Sequence, residues 1–184
     1  MISIIHTKRE AILAGACRVV RGEGGAGLTL EAVAREAGVS KGGLLYHFPT
    51  KAALIAGMIG QICADFDGAM ERELANDPVP GPGRWVRAYA RLSCDAEAQP
   101  LDVLYAALVA AIGTNPALLD PLRTAFDRWQ RRAIDDGLDP ALATLVRLAA
   151  DGLWFADLMG FAPPNADLRA QVCARLIALA DSVG

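Results

Sequence analysis

The 184-residue chain is predicted to be all-α. Apolar residues recur at three- and four-residue spacing along most of its length, and no stretch alternates apolar and polar residues for long enough to make a strand. The breaks in that periodicity are short clusters of Gly, Pro, Asn and Asp, which punctuate helices. A hydrophobic content of 53% supplies enough apolar surface for a core.

Taken in order, the first helix is expected from about Thr7 to Arg21. Its inner face would carry Ile12, Leu13, Ala16, Val19 and Val20, and "GEGGAG" at 22–27 would stop it. That glycine run lacks the Gly-Lys-Ser/Thr ending of a phosphate-binding loop and reads as a solvated connector. Thr29 is placed to cap a short helix through Ala37, with Leu30, Val33, Ala34 and Ala37 at core spacing and Gly38 at the position that favours a left-handed turn. Ser40 would cap the next helix. Two short helices joined by "GVS" make a helix-turn-helix, whose second helix is the one offered to a DNA major groove.

A fourth helix is expected from the Thr50 cap to about Ala75, through Leu54, Ile55, Met58, Ile62, Phe66 and Met70, a length of roughly 37 Å. "NDPVPGPG" at 76–83 ends it. Beyond lie helices expected at 84–98, 101–113, 116–135, 139–160 and 165–182, split by "AQP", "TNP", "DDGLDP" and "FAPPN". The domain boundary is placed near residue 50, giving a DNA-binding module over 1–50 and a second helical domain over 51–184.

Charge divides along the same line. Residues 1–51 hold seven Lys or Arg against four Glu, a balance of +3; since the whole chain carries −3, the other 133 residues carry −6. A basic head on an acidic body suits a polyanion-binding module joined to a second domain. No run of about 18 apolar residues appears and the N-terminus meets charge at once, so no membrane association is expected and the protein is placed in the cytoplasm. Cys17, Cys63, Cys94 and Cys173 are scattered without a C-x-x-C pair and read as free thiols, neither a disulfide frame nor a zinc site.

The segment "GVSKGGLLYHFPTK" carries the strongest functional signal. On a helical wheel Leu45 and Phe48 face inward, leaving Lys41, Gly42, Leu44, Tyr46 and His47 on the outer or flanking surface. Gly42 and Gly43 each cost a helix about 1 kcal/mol relative to Ala, which makes sense where a bulky partner approaches the backbone. Lys51 sits in a helix's first turn against the macrodipole, a choice that a nearby phosphate would reverse.

The run "LTLEAVAREAGVSKGGLLYHFPTKAALI", Leu28 to Ile55, resembles the DNA-binding module of the tetracycline-repressor (TetR) family of bacterial transcriptional regulators. The resemblance covers about residues 7–60. It implies that Thr29 and Ser40 cap helices and donate to phosphate, that Lys41, Gly42 and Leu44 lie over base edges with Gly43 beside them, and that Tyr46, His47 and Lys51 grip the backbone of double-stranded operator DNA. It also implies a C-terminal effector-binding and dimerisation domain.

The second half has features that suit those roles. The 139–160 helix has a face rich in small residues (Ala149, Gly152, Ala156, Gly160) among Leu142, Leu145, Val146 and Leu153. The 165–182 helix has an apolar arc about half its circumference, wider than one neighbour needs. Two such helices can meet their copies as a four-helix bundle in a homodimer. Phe66, Met70, Tyr105, Phe126, Trp129, Trp154 and Phe155 are the candidates to line a pocket for a small, mainly apolar effector. An enzyme is disfavoured by just two histidines, no nucleophile elbow and no metal-ligand spacing, so no catalytic residue, metal ligand or cofactor is named. The expected function is a ligand-responsive dimeric repressor; the alternative is a ligand-independent DNA-binding protein, or an activator, of the same fold.

Overall fold

A computed structural model describes residues 7–95, 107 and 115–181 of the chain. All regular structure among them is helical. Helix α1 spans Lys8–Glu23, α2 Leu30–Glu36, α3 Lys41–His47, α4 Lys51–Asn76, α5 Arg84–Cys94, α6 Asp120–Ile134, α7 Pro140–Met159 and α8 Ala166–Asp181. Short 3-10 turns stand at Gly25–Gly27 and Pro116–Leu119. The helix expected at 101–113, and the last residues of the one expected at 84–98, lie outside the described residues.

The chain divides into two compact units, the first taking in the described residues of 1–64 and 102–123 and the second those of 65–101 and 124–184. This division falls inside α4, between Ala64 and Asp65.

In the first unit each helix starts where a side chain satisfies an otherwise orphaned amide. Thr7 and Glu10 form a reciprocal capping box at α1, with Thr7 N–H to Glu10 Oε2 at 2.8 Å and Glu10 N–H to Thr7 Oγ1 at 3.2 Å. Thr29, Ser40 and Thr50 accept from the amides of Ala32, Gly43 and Ala53 at 3.1, 3.1 and 3.0 Å. Ile12, Leu13, Ala16 and Val20 of α1 are buried with Val33 of α2, Leu44 of α3 and Leu54, Ile55, Met58 and Ile59 of α4. Gly15 lets α1 and α2 touch: a Cβ there would lie 2.9 Å from the Ala37 methyl and 3.1 Å from its amide nitrogen. Arg18 ties the same pair together by donating to the carboxylate and to the carbonyl of Glu36.

Among the described helices α4 alone is long and apolar enough to cross a bilayer by length and composition. Of its apolar residues Leu54, Ile55, Met58, Ile59, Cys63 and Met70 are buried in protein, while Ile62 and Phe66 are half-buried.

In the second unit α5 packs on α7 and α8, which also pack on each other. Asp136, just past α6, caps α5 from a distance, its two carboxylate oxygens accepting from Trp85 N–H and Val86 N–H at 2.9 Å each. Arg87 is buried and bridges elements, donating to Asp77 at 3.1 Å, to Asp181 at 2.8 Å and to the Val79 carbonyl at 2.8 Å. Burial alone would raise the Asp77 carboxyl, but hydrogen bonds from Val79 N–H, Arg87 and Arg91 hold it down at about 2. Such a charge is tolerable inside because its partners are in place.

The cysteines depart from the expectation of scattered thiols with no disulfide. Cys94 at the end of α5 and Cys173 in α8 form a disulfide with Cα atoms 5.9 Å apart, and Cys17 and Cys63 are not disulfide-bonded. The sequence hides this pair because 79 positions separate the two residues and only the antiparallel packing of α5 on α8 brings them together.

Candidate functional site

The helix-turn-helix is made by α2, a turn and α3. The turn is possible because Gly38 adopts φ +66°, a left-handed conformation that costs glycine little, while Val39 N–H closes it on the Ala34 carbonyl at 3.0 Å. Helix α3 then presents one edge to solvent. Lys41 and Gly42 are exposed, and Tyr46 is 84% exposed with its ring edge-on to His47 at 5.1 Å. A Cβ on Gly42 would meet nothing within 4 Å, whereas one on Gly43 would come within 3.2 Å of the Ser40 hydroxyl. Gly42 is therefore the open position. Gly43 is spared a tight contact with the cap.

Leu44 was expected over base edges and is not there. It is wholly buried, together with Phe48. The two are four apart and share a face of α3, so when Phe48 enters the core Leu44 must follow and Leu45 is left half-buried on the flank. The exposed set is thus Lys41, Gly42 and Tyr46, flanked by the caps Thr29 and Ser40 and by exposed Lys51 in the first turn of α4, with His47 half-buried.

Lys41 carries an unforeseen restraint. Its Nζ lies 2.7 Å from Glu31 Oε1 in the first turn of α2. The hydrogen bond from Lys41 is the largest reason that the Glu31 carboxyl titrates below its usual range. Arg9 adds a further cation nearby, 5.5 Å from the centroid of the Phe48 ring.

In the second unit the structure gathers some of the expected effector residues and disperses others. Phe66 and Trp129 have centroids 4.6 Å apart, Phe126 and Trp129 5.0 Å, and Phe66 and Tyr89 5.4 Å. Trp85 stacks on Tyr89 at 5.1 Å. Trp85 and Tyr89 were missed. The signal that places them is the polar edge around the rings. Tyr89 donates its hydroxyl to Asp151 at 2.6 Å, Arg147 donates to Asp151 and to Gln130, and Gln130 donates to Thr144 at 2.8 Å. Trp129 Nε1–H donates to Asp67 at 2.7 Å, and Arg128 donates to the other oxygen of that carboxylate.

Burial first, then the Asp151 charge, pushes the Tyr89 phenol well above its ordinary value. Burial likewise raises Asp151 against the opposing pull of Tyr89 and Arg147. Met70 is buried and Trp154 half-buried. Phe155, by contrast, is 48% exposed and pairs edge-on with Phe161 at 6.1 Å, on the outer face of α7. Tyr105 lies outside the described residues. Among the described residues no group of three or more His, Cys, Asp or Glu is placed to hold a metal ion.

Two family models match this chain. Residues 12–58 match the model described as bacterial regulatory proteins, tetR family, and residues 83–181 the tetracyclin repressor-like C-terminal domain. The chain belongs to the TetR family.

It is therefore a TetR-family transcription regulator with a DNA-binding helix-turn-helix and a helical second domain. Among solved structures it is similar to the multidrug binding protein EbrR in complex with imidazole, at 25% identity, 94% of this chain, 96% of that chain and a TM-score of 0.62. It resembles a TetR-family member from Streptomyces coelicolor A3 at 25% identity, with 94% and 99% covered and a TM-score of 0.66. A transcriptional regulator from Rhodococcus sp. Rha1 shares the fold at 21% identity, with 97% and 100% covered and a TM-score of 0.74. Among curated proteins no sequence match is significant.

For a TetR-family DNA-binding module the Lys41–Glu31 pair has a measurable consequence. Both side chains are 63% exposed, so the pair contributes little to folding, and an approaching polyanion has to compete with Glu31 for Lys41. Glu31→Gln is expected to strengthen binding to every duplex sequence and to steepen the salt dependence by up to about one counterion. Fluorescence anisotropy on a random duplex at several salt concentrations measures both. Unchanged affinity and slope would show that Lys41 does not meet the DNA.

Proposed function

We propose that the protein is a homodimeric transcriptional repressor, acting in the cytoplasm, that leaves a palindromic operator when a small, mainly apolar effector binds its second unit. The observation that carries the DNA half is the exposed edge of α3, where Gly42 offers bare backbone between Lys41 and the solvent-extended Tyr46. That edge suits close docking in a major groove, with Lys51, Thr29 and Ser40 placed for phosphates and His47 beside them. Two such edges in a dimer would read half-sites about 34 to 36 Å apart or a multiple of that.

Support for the effector half is the cluster of Phe66, Trp85, Tyr89, Phe126 and Trp129, bordered by Asp67 and the Tyr89–Asp151–Arg147–Gln130 network. Ring faces with a few fixed polar groups at one edge are what small-molecule sites use. The structural relative EbrR is a multidrug binding protein that has also been solved with ethidium, at 25% identity and a TM-score of 0.63.

The test is reciprocity. An effector that favours the DNA-incompetent arrangement by about 1 to 3 kcal/mol lowers operator affinity some 5- to 150-fold, and operator must weaken the effector by the same factor. Apolar, non-intercalating compounds are screened by the fluorescence of Trp85 and Trp129, and the best binder is titrated with and without an operator selected from random duplexes. Gly42→Trp, for which the free protein has room, should abolish operator binding and leave the effector constant unchanged. An effector whose affinity ignores operator would favour the ligand-independent regulator.

A further inference from the structure

The Cys94–Cys173 disulfide sits where the second unit's helices are tied together. Helices α5 and α8 run antiparallel. At one end of their seam Gly83 meets Ala180 and Arg87 holds Asp181 at 2.8 Å. At the other end Cys94, the last residue of α5, is bonded to Cys173 of α8. One turn earlier in α8, Arg169 donates to the Cys94 carbonyl at 3.3 Å and to the Asp157 carboxylate of α7. The first half of α8 is thus tied to α5 by one covalent bond and to α5 and α7 by the hydrogen bonds of Arg169. On that half Leu168 is exposed, and further along the helix so is Leu179.

A bacterial DNA-binding regulator works in a compartment whose thiols are kept reduced, where a disulfide in a mesophilic protein is usually transient and redox-sensing rather than a permanent brace. We propose that Cys94 and Cys173 are a reversible thiol–disulfide pair, oxidised by a hydroperoxide, that fixes the first half of α8 to α5 and thereby tightens the dimer. The dimer part and the reducing compartment rest on the function proposed above; the locking of α8 by the bond does not.

The two sulfurs have different access. Cys94 is half-buried and is the one an oxidant can reach, while Cys173 is buried. The Cys94 thiolate attacks the outer oxygen of the hydroperoxide, whose O–O bond breaks; the alkoxide or hydroxide that leaves takes up a proton, and Cys94 becomes a sulfenic acid. The Cys173 thiolate then attacks the Cys94 sulfur, forming the S–S bond and expelling hydroxide, which is protonated to water. Two thiols lose two electrons and the peroxide gains them. A dithiol reductant reverses the change through a mixed disulfide.

The experiment uses the full chain in glutathione buffers of stepped potential, with and without added hydrogen peroxide, followed by alkylation and peptide mapping. The expected result is that Cys94 and Cys173 pair, Cys17 and Cys63 remain alkylatable, and the bond is reduced within the range of cellular glutathione poise while the fold persists by circular dichroism. Hydrogen exchange over residues 166–173 should slow several-fold on oxidation, and the dimer dissociation constant should fall at least about fivefold. Cys94→Ser and, as a smaller perturbation of the core, Cys173→Ala should make both readouts indifferent to peroxide. Pairing of other cysteines, a bond that yields only when the protein unfolds, or exchange over 166–173 that is equal in the two states would overturn the switch, as would equal dimer constants. A chain that is monomeric in both states, with the exchange difference intact, would remove the dimer and leave the locking of α8 standing.

Discussion

Gly83→Ala is expected to destabilise the second unit by about 3 to 5 kcal/mol and to lower the melting temperature by about 10 °C. Gly83 stands at φ +81° and ψ −3° before the first residue of α5, a left-handed conformation that alone costs a side chain roughly 1 kcal/mol or more. The larger part is steric. A Cβ there would lie 2.1 Å from the Ala180 carbonyl oxygen, and that oxygen belongs to the backbone of α8, which cannot swing aside as a flexible side chain would. Moving Gly83 away instead strains its N–H bond to the Asp136 carbonyl at 3.1 Å and its carbonyl's bond from Arg87 N–H at 2.8 Å.

Gly81 supplies the control. It also has positive φ, +108°, but a Cβ there meets nothing within 4 Å, so Gly81→Ala should cost the conformational share alone. Thermal melts of the two variants separate strain from collision. If both melted alike, the close approach of α5 and α8 would be wrong.

This contact also marks where the sequence stops being readable. Local chemistry announces itself: Thr29, Ser40 and Thr50 are caps because a hydroxyl followed by a helix-period run has few other uses, and Gly38 is a turn because the run breaks there. Those signals placed the helix-turn-helix, both ends of α2 and the start of α3 to within a residue. Leu44 was misplaced because a seven-residue helix offers barely two turns, and the choice between Leu44 and Leu45 as the inward residue depends on how α3 is rotated by its neighbours.

Long-range partners leave no such trace. Nothing in "RWVRAYARLSC" distinguishes Arg87, buried between Asp77 and Asp181, from Arg84 or Arg91. Trp85 and Tyr89 carry no signal of their own until Phe66, Trp129 and Asp151 arrive from other helices. The tight glycines Gly15 and Gly83 look like any others until a second backbone stands against them.

Leu148→Glu is expected to raise the dimer dissociation constant roughly a thousandfold and to weaken operator binding with it. Leu145, Leu148 and Phe155 lie along one side of α7 at 64%, 52% and 48% exposure, with Leu168 and Leu179 of α8 exposed as well. Gly152, between Leu148 and Phe155, is bare enough that a Cβ would meet nothing within 4 Å. Large side chains seldom line up in water without a partner, and a second copy of the same face is the partner that the proposed two-fold dimer supplies.

A two-fold axis makes each substitution count twice. If burying Leu148 contributes about 2 kcal/mol per subunit, as a central interface residue does, the pair contributes about 4 kcal/mol, or about three decades in the constant. The isolated subunit should be indifferent, because a half-exposed residue leaves no cavity when changed. Sedimentation velocity at micromolar concentration reads the mass, and thermal melting at a concentration where the variant is monomeric checks the fold. A variant that remains dimeric would place the interface elsewhere; one that becomes monomeric but keeps full operator affinity would break the link between dimerisation and DNA reading.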